Sequence, residues 1–122
     1  MIGRTHRFHG QGGLRAVYRR GKTARSPLIS VRYGIRDSRK AYRVAVVVSR
    51  KVSKSAVVRN RIRRRIYAIV RQVGGDIAPG TDLIFTVFHE QVATIPNPEL
   101  TSQIVGLLQK VATPTSGKPE RP

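Results

Sequence analysis

The sequence predicts a single domain of the α+β class. Its 122 residues, 39% of them hydrophobic, are enough to bury one modest core. Segments in which apolar residues alternate, as in a strand, occur beside segments in which they recur every three or four residues, as in a helix. The middle of the chain is predicted to form a strand–helix–strand unit, and a further helix follows it.

The amino-terminal half is predicted to hold a short helix and two strands. The helix covers residues 14–20. Residues 28–34 alternate apolar and polar side chains, which predicts a strand. Residues 42–49 are predicted as its hairpin partner. Three consecutive valines at positions 46–48 predict that this second strand lies centrally in the sheet, covered on both faces.

The second half is predicted to hold a long helix, a strand and a final helix. The long helix covers residues 55–73 and ends at Gly74-Gly75, and a strand follows over residues 82–88. The final helix covers residues 98–112, with Asn97 as its N-cap. We expect the two long helices to lie on opposite sides of the sheet.

The two ends of the chain lie outside the predicted core. Residues 1–13 form a flexible basic amino end. Residues 113–122 are rich in proline and polar groups, which predicts a disordered tail. Residues 14–112 remain as the single predicted domain.

Charge divides the chain into two unlike parts. The net charge is +18, and 21 of the 24 Lys and Arg lie in residues 1–71, where Asp37 is the only acid. Such a charge strains the folded state by self-repulsion unless a polyanion balances it. A membrane surface is the weaker candidate, because the chain has no bilayer-length apolar run and its basic helix lacks the Trp, Phe and Leu of interfacial helices. The composition therefore favours a nucleic acid as partner.

The long helix carries five arginines within residues 59–65, which marks it as the contact surface. Asn60, Arg64, Tyr67 and Arg71 are predicted to lie opposite its apolar stripe. No acidic residue in the segment relieves the repulsion between arginines one turn apart, so a ligand must supply negative charge. The alternative is a basic face kept for solubility, but such faces usually mix both signs of charge. The stripe consists of Val58, Ile62, Ile66, Ile69, Val70 and Val73.

The sequence offers little for catalysis by the protein itself. Cysteine is absent, which excludes disulfides and Cys-based zinc sites, and the amino end lacks the apolar core of a signal peptide; we expect a cytoplasmic protein. His6, His9 and His89 are candidates for a metal or acid–base role, although contact with RNA is favoured for the first two. The carboxylates that a metal-dependent nuclease would bring together are scattered along the chain: Asp37, Asp76, Asp82 and Glu90.

One segment of the chain carries a family resemblance. A hydrophobic strand ends in Val48-Ser49-Arg50-Lys51, Ala56-Val57 follows, and Arg59-Asn60-Arg61-Ile62-Arg63-Arg64 lies on the basic helix. In order and spacing, this segment resembles the protein component of bacterial ribonuclease P. A looser similarity runs from residue 4 to residue 110 and includes Arg7-Phe8 and residues 80–84.

The resemblance implies a mixed sheet of about four strands backed by helices, with a strand–helix–strand crossover that is left-handed, against the usual rule. It implies the protein subunit of a ribonucleoprotein endonuclease, a hydrolase that removes the 5′ leader of precursor tRNA. The RNA subunit with its Mg²⁺ is expected to carry the chemistry, and the protein to bind the RNA subunit and the leader without a metal of its own. Neither a membrane nor a small-molecule substrate is implied.

By matching position, the resemblance implies that the basic segment contacts the catalytic RNA. Guanidinium groups grip phosphates in pairs and stack on bases, whereas an amide side chain both donates and accepts hydrogen bonds. Arg65 stands where the family usually has an apolar residue, and it either lies along apolar surface or extends the basic edge. Local backbone capping is the alternative role for Asn60. The implied contacts are Arg50, Lys51, Lys54, Arg59, Asn60, Arg61, Arg63, Arg64 and Arg65.

The resemblance also implies a groove for the single-stranded leader, lined by aromatic and small polar side chains. Leu14 stands where many members have Phe, which predicts a thinner and more electrostatic stacking surface. Packing in the core is the alternative for the three aromatic residues among the implied contacts. These contacts are Phe8, Leu14, Tyr18, Arg32 and Tyr33.

Two other functions share the same charge and size. A ribosomal or other structural RNA-binding protein without a processing role fits the composition, and only the ordered motif between residues 48 and 64 argues against it. A DNA-binding module that reads the major groove is less favoured. Closely spaced arginines grip phosphates around a helix and leave few side chains for base edges.

Overall fold

The computed structural model describes residues 21–35, 42–78 and 80–112, in which two helices back a four-stranded mixed sheet. The predicted α+β class is thereby confirmed. The predicted helix over residues 14–20, the amino end before it and the tail over residues 113–122 lie outside the described residues. The strands are β1 (Lys22–Arg25), β2 (Ile29–Ile35), β3 (Arg43–Val47) and β4 (Thr81–Val87), and the helices are α1 (Ala56–Val73) and α2 (Asn97–Ala112).

The strand order is β1-β2-β4-β3, in which β3 and β4 run parallel and the other neighbours antiparallel. The predicted hairpin between residues 28–34 and residues 42–49 is therefore wrong, because β4 lies between β2 and β3. The predicted central place of the second strand is wrong for the same reason. Residues 81–85 are buried in succession, so β4 suits the centre, whereas Val47 of β3 is 37% exposed and suits an edge.

Strand β1 is a feature that the sequence pattern did not predict. Its four residues include a single apolar side chain, Ala24, which is buried opposite Val31 of β2. The lysine and arginine at its ends are exposed, as is common in a strand at the edge of a sheet. Alternation over so few residues gives too weak a signal to distinguish a strand from a loop.

Both helices pack on the same face of the sheet, so the expectation of opposite sides is wrong. Ile62 and Ile66 of α1, with Leu100 and Ile104 of α2, belong to one buried cluster that includes Phe85 of β4. The helices also contact each other. The reason lies in the strands, whose apolar positions alternate onto one face and leave the other mainly to small, polar and cationic side chains. The strand residues of the apolar face include Ile29, Val31, Val44, Val46, Leu83, Phe85 and Val87.

Helix α1 has the bounds that the sequence predicts, to within one residue. Ser55 caps it, because its Oγ accepts a hydrogen bond of 3.2 Å from the backbone N–H of Val58. Tyr67 was predicted on the exposed side but is only 8% exposed. It lies one turn from Val70 on the helix surface, and its ring therefore joins the edge of the same hydrophobic cluster.

Strand β3, helix α1 and strand β4 form the strand–helix–strand unit, with the two strands as parallel neighbours. The left-handed sense of its crossover stays a prediction. Within the described residues, neither helix combines the length and the apolar character that crossing a membrane requires.

Candidate nucleic-acid interface

Helix α1 presents an exposed cationic arc opposite the core. The helix contains no acidic residue that could neutralise this arc. Val57, which is 67% exposed, lies in the middle of the arc and was not among the predicted contact residues. Its exposure follows from the helical wheel, because Val57 falls outside the stripe that its neighbour Val58 joins. We call this surface the basic face of α1, formed by Val57, Asn60, Arg61, Arg64, Ala68 and Arg71.

Asn60 and Arg63 form a side-chain pair at one border of the basic face. The Arg63 guanidinium donates from Nη2 to Oδ1 of Asn60. The Asn60 side chain thus bonds to a neighbouring side chain rather than serving as a backbone cap. Because its oxygen is engaged, the amide Nδ2 remains as a donor group on an exposed residue. Donors of this kind suit the acceptor atoms of phosphates, riboses and bases.

A well-ordered turn joins β3 to α1 and presents further cations. The backbone N–H groups of Val52 and Ser53 donate to the carbonyl of Ser49, at 3.1 and 3.5 Å. Ser53 is buried, and its Oγ accepts a hydrogen bond of 3.2 Å from the N–H of Ser55. These bonds hold the turn against the start of the helix. The exposed cations of this basic turn are Arg50, Lys51 and Lys54.

Arg59 connects the basic turn to the helix. Its Nη1 donates a hydrogen bond of 2.9 Å to the backbone carbonyl of Ser53. The residue is half-buried at the first turn of the helix. One N–H of its guanidinium is therefore used within the protein, and the bond holds the group against the basic turn.

Arg65 lies on the opposite flank of α1 and is directed into the protein. Its Nη1 donates to the carbonyl of Val92 at 2.7 Å, and its Nη2 donates to the carbonyl of Ile95 at 2.6 Å. A longer contact of 3.4 Å joins Nη2 to Oδ1 of Asn97. The prediction that Asn97 caps α2 is wrong, since the helix begins at Asn97 and its side-chain oxygen faces Arg65. Arg65 thus ties α1 to the segment between β4 and α2.

The predicted leader contacts are only partly placed. Phe8, Leu14 and Tyr18 lie outside the described residues. Arg32 and Tyr33 are consecutive in β2, so their side chains point to opposite faces of the sheet. Tyr33 packs against the core on the helix side. Arg32 lies on the other face, where its Nη1 donates a hydrogen bond of 2.9 Å to Oγ1 of Thr23.

The face of the sheet away from α1 and α2, here the second sheet face, carries cationic, small and polar side chains together with the buried Ile84. Cross-strand pairing aligns one row from Arg25 through Ser30 and Thr86 to Val47. Ser30 is buried, Thr86 is half-buried, and the residues at the two ends of the row are exposed. The row ends beside the basic turn, because β3 leads directly into it.

The carboxylates of the described residues do not converge. Asp82 is buried, and both of its oxygens accept hydrogen bonds from Arg43. Among residues 21–35, 42–78 and 80–112, no three His, Asp or Glu side chains form a group that could hold a metal ion. His89 is exposed, whereas His6 and His9 lie outside this part of the chain.

The basic face of α1, the basic turn beside it and the mixed sheet behind them define a small α+β protein of the RNA-binding class. A family model described as Ribonuclease P matches residues 2–112. The chain belongs to the ribonuclease P family.

Relatives along almost the whole chain carry the same family name. The ribonuclease P protein component of a Pseudanabaena species is 35% identical over 112 residues, which cover 90% of this chain and 94% of that protein. The ribonuclease P protein component of Chloroflexus aurantiacus is 33% identical over 107 residues, which cover 88% of this chain and 78% of that protein.

Solved structures share the fold at lower identity. The RNase P protein of Staphylococcus aureus matches with a TM-score of 0.75 and 18% identity, over 87% of this chain and 94% of that one. The RNase P protein from Thermotoga maritima matches with a TM-score of 0.75 and 20% identity, over 85% of this chain and 96% of that one. These likenesses support the arrangement of strands and helices.

Proposed function

We propose that this chain is the protein subunit of ribonuclease P and assists a catalytic RNA in removing the 5′ leader from precursor tRNA. The observation that carries the proposal is the basic face of α1, where Asn60, Arg61 and Arg64 are exposed together. The motif that the family shares begins at the end of β3, crosses the basic turn and continues on α1. The proposed binding surface therefore coincides with the part of the chain that most resembles the family.

The chemistry of the surface suits an RNA subunit with exposed phosphates and riboses. Arg61 and Arg64 are exposed, and a guanidinium makes two parallel hydrogen bonds to a phosphate. Asn60 offers its amide N–H groups to an acceptor on a ribose or a base. Val57 gives the centre of the surface an apolar contact for a sugar or base edge. Within the proposal, Lys51 and Lys54 extend the contact along the backbone as point charges.

The proposal makes the protein part of an endoribonuclease without assigning bond cleavage to its own side chains. Both carboxylate oxygens of Asp82 accept hydrogen bonds from Arg43. Among the described residues, no three His, Asp or Glu side chains form a group that could hold a metal ion. Mg²⁺ belongs, in this proposal, to the RNA subunit. The partners are that RNA and precursor tRNA, and a cytoplasmic location forms part of the same proposal.

The direct test is cleavage of a precursor tRNA by a bacterial ribonuclease P RNA at low magnesium, with and without this protein. We expect the protein to restore cleavage at the mature 5′ end, because its cations offset the repulsion between two RNAs. A variant that combines Arg61→Ala with Arg64→Ala should restore less cleavage at the same protein concentration. If the folded, RNA-binding wild-type protein restores none, the result would favour a structural RNA-binding role instead.

A further inference from the structure

Arg59 bonds to two backbone carbonyls at the start of α1. Its backbone N–H donates a hydrogen bond of 3.0 Å to the carbonyl of Ser55, which is the first bond of the helix. Its side chain turns back past this cap, where Nη1 donates a hydrogen bond of 2.9 Å to the carbonyl of Ser53. Ser53 is only 6% exposed, which limits competition from water for this bond. A single arginine thus joins the helix to the end of the basic turn.

The position of Arg59 on the helix explains why its side chain bonds to a carbonyl. The amino end of a helix carries a partial positive charge, which disfavours a cation close to it. The first turn of α1 contains no acidic residue that could offset this cost. A carbonyl oxygen carries partial negative charge, so the bond to Ser53 stabilises the guanidinium at a place where the helix alone does not.

The sequence of the basic turn works against a fixed conformation. Its three cations lie within residues 50–54, and residues 48–55 contain no acid. The cations repel one another, and a loose turn would lose conformational freedom when a ligand binds it. The bonds to the carbonyl of Ser49 hold the first half of the turn. The bond from Arg59 holds the second half.

We propose that Arg59 is a positioning residue that holds Lys51 and Lys54 in the arrangement in which the basic turn meets RNA phosphates. The guanidinium acts through the backbone of the turn, and the two lysines make the contacts. A turn that is ordered before binding loses less conformational freedom on binding, so affinity rises without a further contact. The proposed contacts of Arg61 and Arg64, by contrast, are direct. That the RNA is the catalytic subunit rests on the function proposed above.

A double-mutant cycle tests this role with a bacterial ribonuclease P RNA at one salt concentration. Affinity is measured for Arg59→Ala, for Lys51→Ala with Lys54→Ala, and for all three substitutions together. We expect the two lysine substitutions to weaken binding less in the Arg59→Ala protein than in the wild type, by a factor of roughly 2 to 100, the range for coupled residues. In Arg61→Ala, the matched control, they should weaken binding as much as in the wild type. Equal losses in all three backgrounds would overturn the proposal.

Amide hydrogen exchange in the protein alone separates this role from the function proposed for the whole protein. We expect Arg59→Ala to speed exchange at the amides of Ser53 and Ser55 by roughly 10-fold or more, because the turn opens more often without the bond. Amides in the middle of α1 should exchange as in the wild type, and Arg61→Ala should change neither set. Unchanged exchange at the turn in Arg59→Ala would refute the positioning role.

A conservative variant distinguishes the hydrogen bond from the charge. Arg59→Lys keeps the cation, and its ammonium group can also donate to the Ser53 carbonyl. We expect it to restore slow exchange and RNA affinity together. Restored affinity with fast exchange at the turn would assign residue 59 to direct RNA contact and overturn the proposal. Slow exchange that depends on Arg59, in a protein that neither binds the RNA nor restores cleavage, would contradict the ribonuclease P role and retain the positioning of the turn.

Discussion

The guanidinium of Arg43 donates from Nε and Nη2 to the two carboxylate oxygens of Asp82, with both distances at 2.9 Å. The residues face each other across the parallel strands β3 and β4. The Asp82 side chain is only 4% exposed, so the double contact compensates a carboxylate that has lost most of its water. The pair joins the edge strand to the central strand at one end of their shared register.

Replacing Arg43 should therefore be costly. Arg43→Ala leaves the buried Asp82 carboxylate without its bidentate partner, and we expect a loss of about 3–5 kcal/mol in the free energy of unfolding. Arg43→Lys should recover only part of it, because an ammonium group lacks the planar fork. Urea denaturation measures both variants, with Arg32→Ala on the same sheet face for comparison. A loss for Arg43→Ala no larger than that for Arg32→Ala would contradict this account.

Arg65 should behave as a structural residue. Its two short hydrogen bonds to the carbonyls of Val92 and Ile95 hold the segment between β4 and α2. Arg65→Ala should lower the free energy of unfolding by about 1.5–3 kcal/mol, the range for a hydrogen bond from a charged group. Affinity for the catalytic RNA, measured where the variant is fully folded, should fall less than it does for Arg64→Ala. The reverse order of affinities would assign Arg65 to the RNA surface.

Arg61 and Arg64 should show the opposite behaviour. Both are exposed on the basic face of α1, and neither has a described hydrogen bond within the protein. Arg61→Ala or Arg64→Ala should leave the unfolding midpoint unchanged and weaken assembly with the catalytic RNA by about 1–3 kcal/mol. Binding titrations at a fixed salt concentration measure this effect. Wild-type affinity in both variants would exclude these residues from the contact.

The sequence predicts correctly those features whose physical cause lies within a few neighbouring residues. The period of the apolar residues and the stop at Gly74-Gly75 are local features, and they located α1 to within one residue. Strand order is not local. It depends on which strand is covered on both faces. The run of three valines indicated that this strand was β3, whereas in the structure residues 81–85 of β4 are buried in succession. The sequence did not predict the polar strand β1, because its extended conformation depends on pairing with β2 and not on a pattern within its own residues.

The same distinction holds for the candidate site. The cluster of five arginines identified the helix, and the departure from the family at Arg65 left two roles open for that residue. The sequence could not predict that Arg65 bonds to the segment before α2, whereas Arg64 is exposed. That difference arises from tertiary contacts across about thirty residues of chain.

Tyr42 should make stability depend on pH in the alkaline range. Burial raises the pKa of its hydroxyl above the ordinary value of 10.0, because the charged form loses water in the folded protein. A group whose pKa is raised on folding stabilises the protein at lower pH and loses that contribution as pH rises through the folded-state value. The free energy of unfolding should therefore fall more steeply for the wild type than for Tyr42→Phe as pH rises above the ordinary tyrosine pKa of 10.0. Parallel curves for the two proteins would contradict this.

A side chain at Gly74, at the end of α1, should destabilise the protein. A Cβ there would lie 2.9 Å from the Tyr42 hydroxyl oxygen and 3.3 Å from Cδ1 of Ile77. Its φ of −77° suits alanine, so any cost is steric. We expect Gly74→Ala to lose about 1–3 kcal/mol in thermal or urea unfolding. Adding Tyr42→Phe should restore part of this loss, because it removes the nearest atom.

Gly106→Ala is the matched control: no atom lies within 4 Å of its Cβ, and it should stabilise α2 by about 0.5–1 kcal/mol. Equal stabilisation by both alanines would refute the predicted clash.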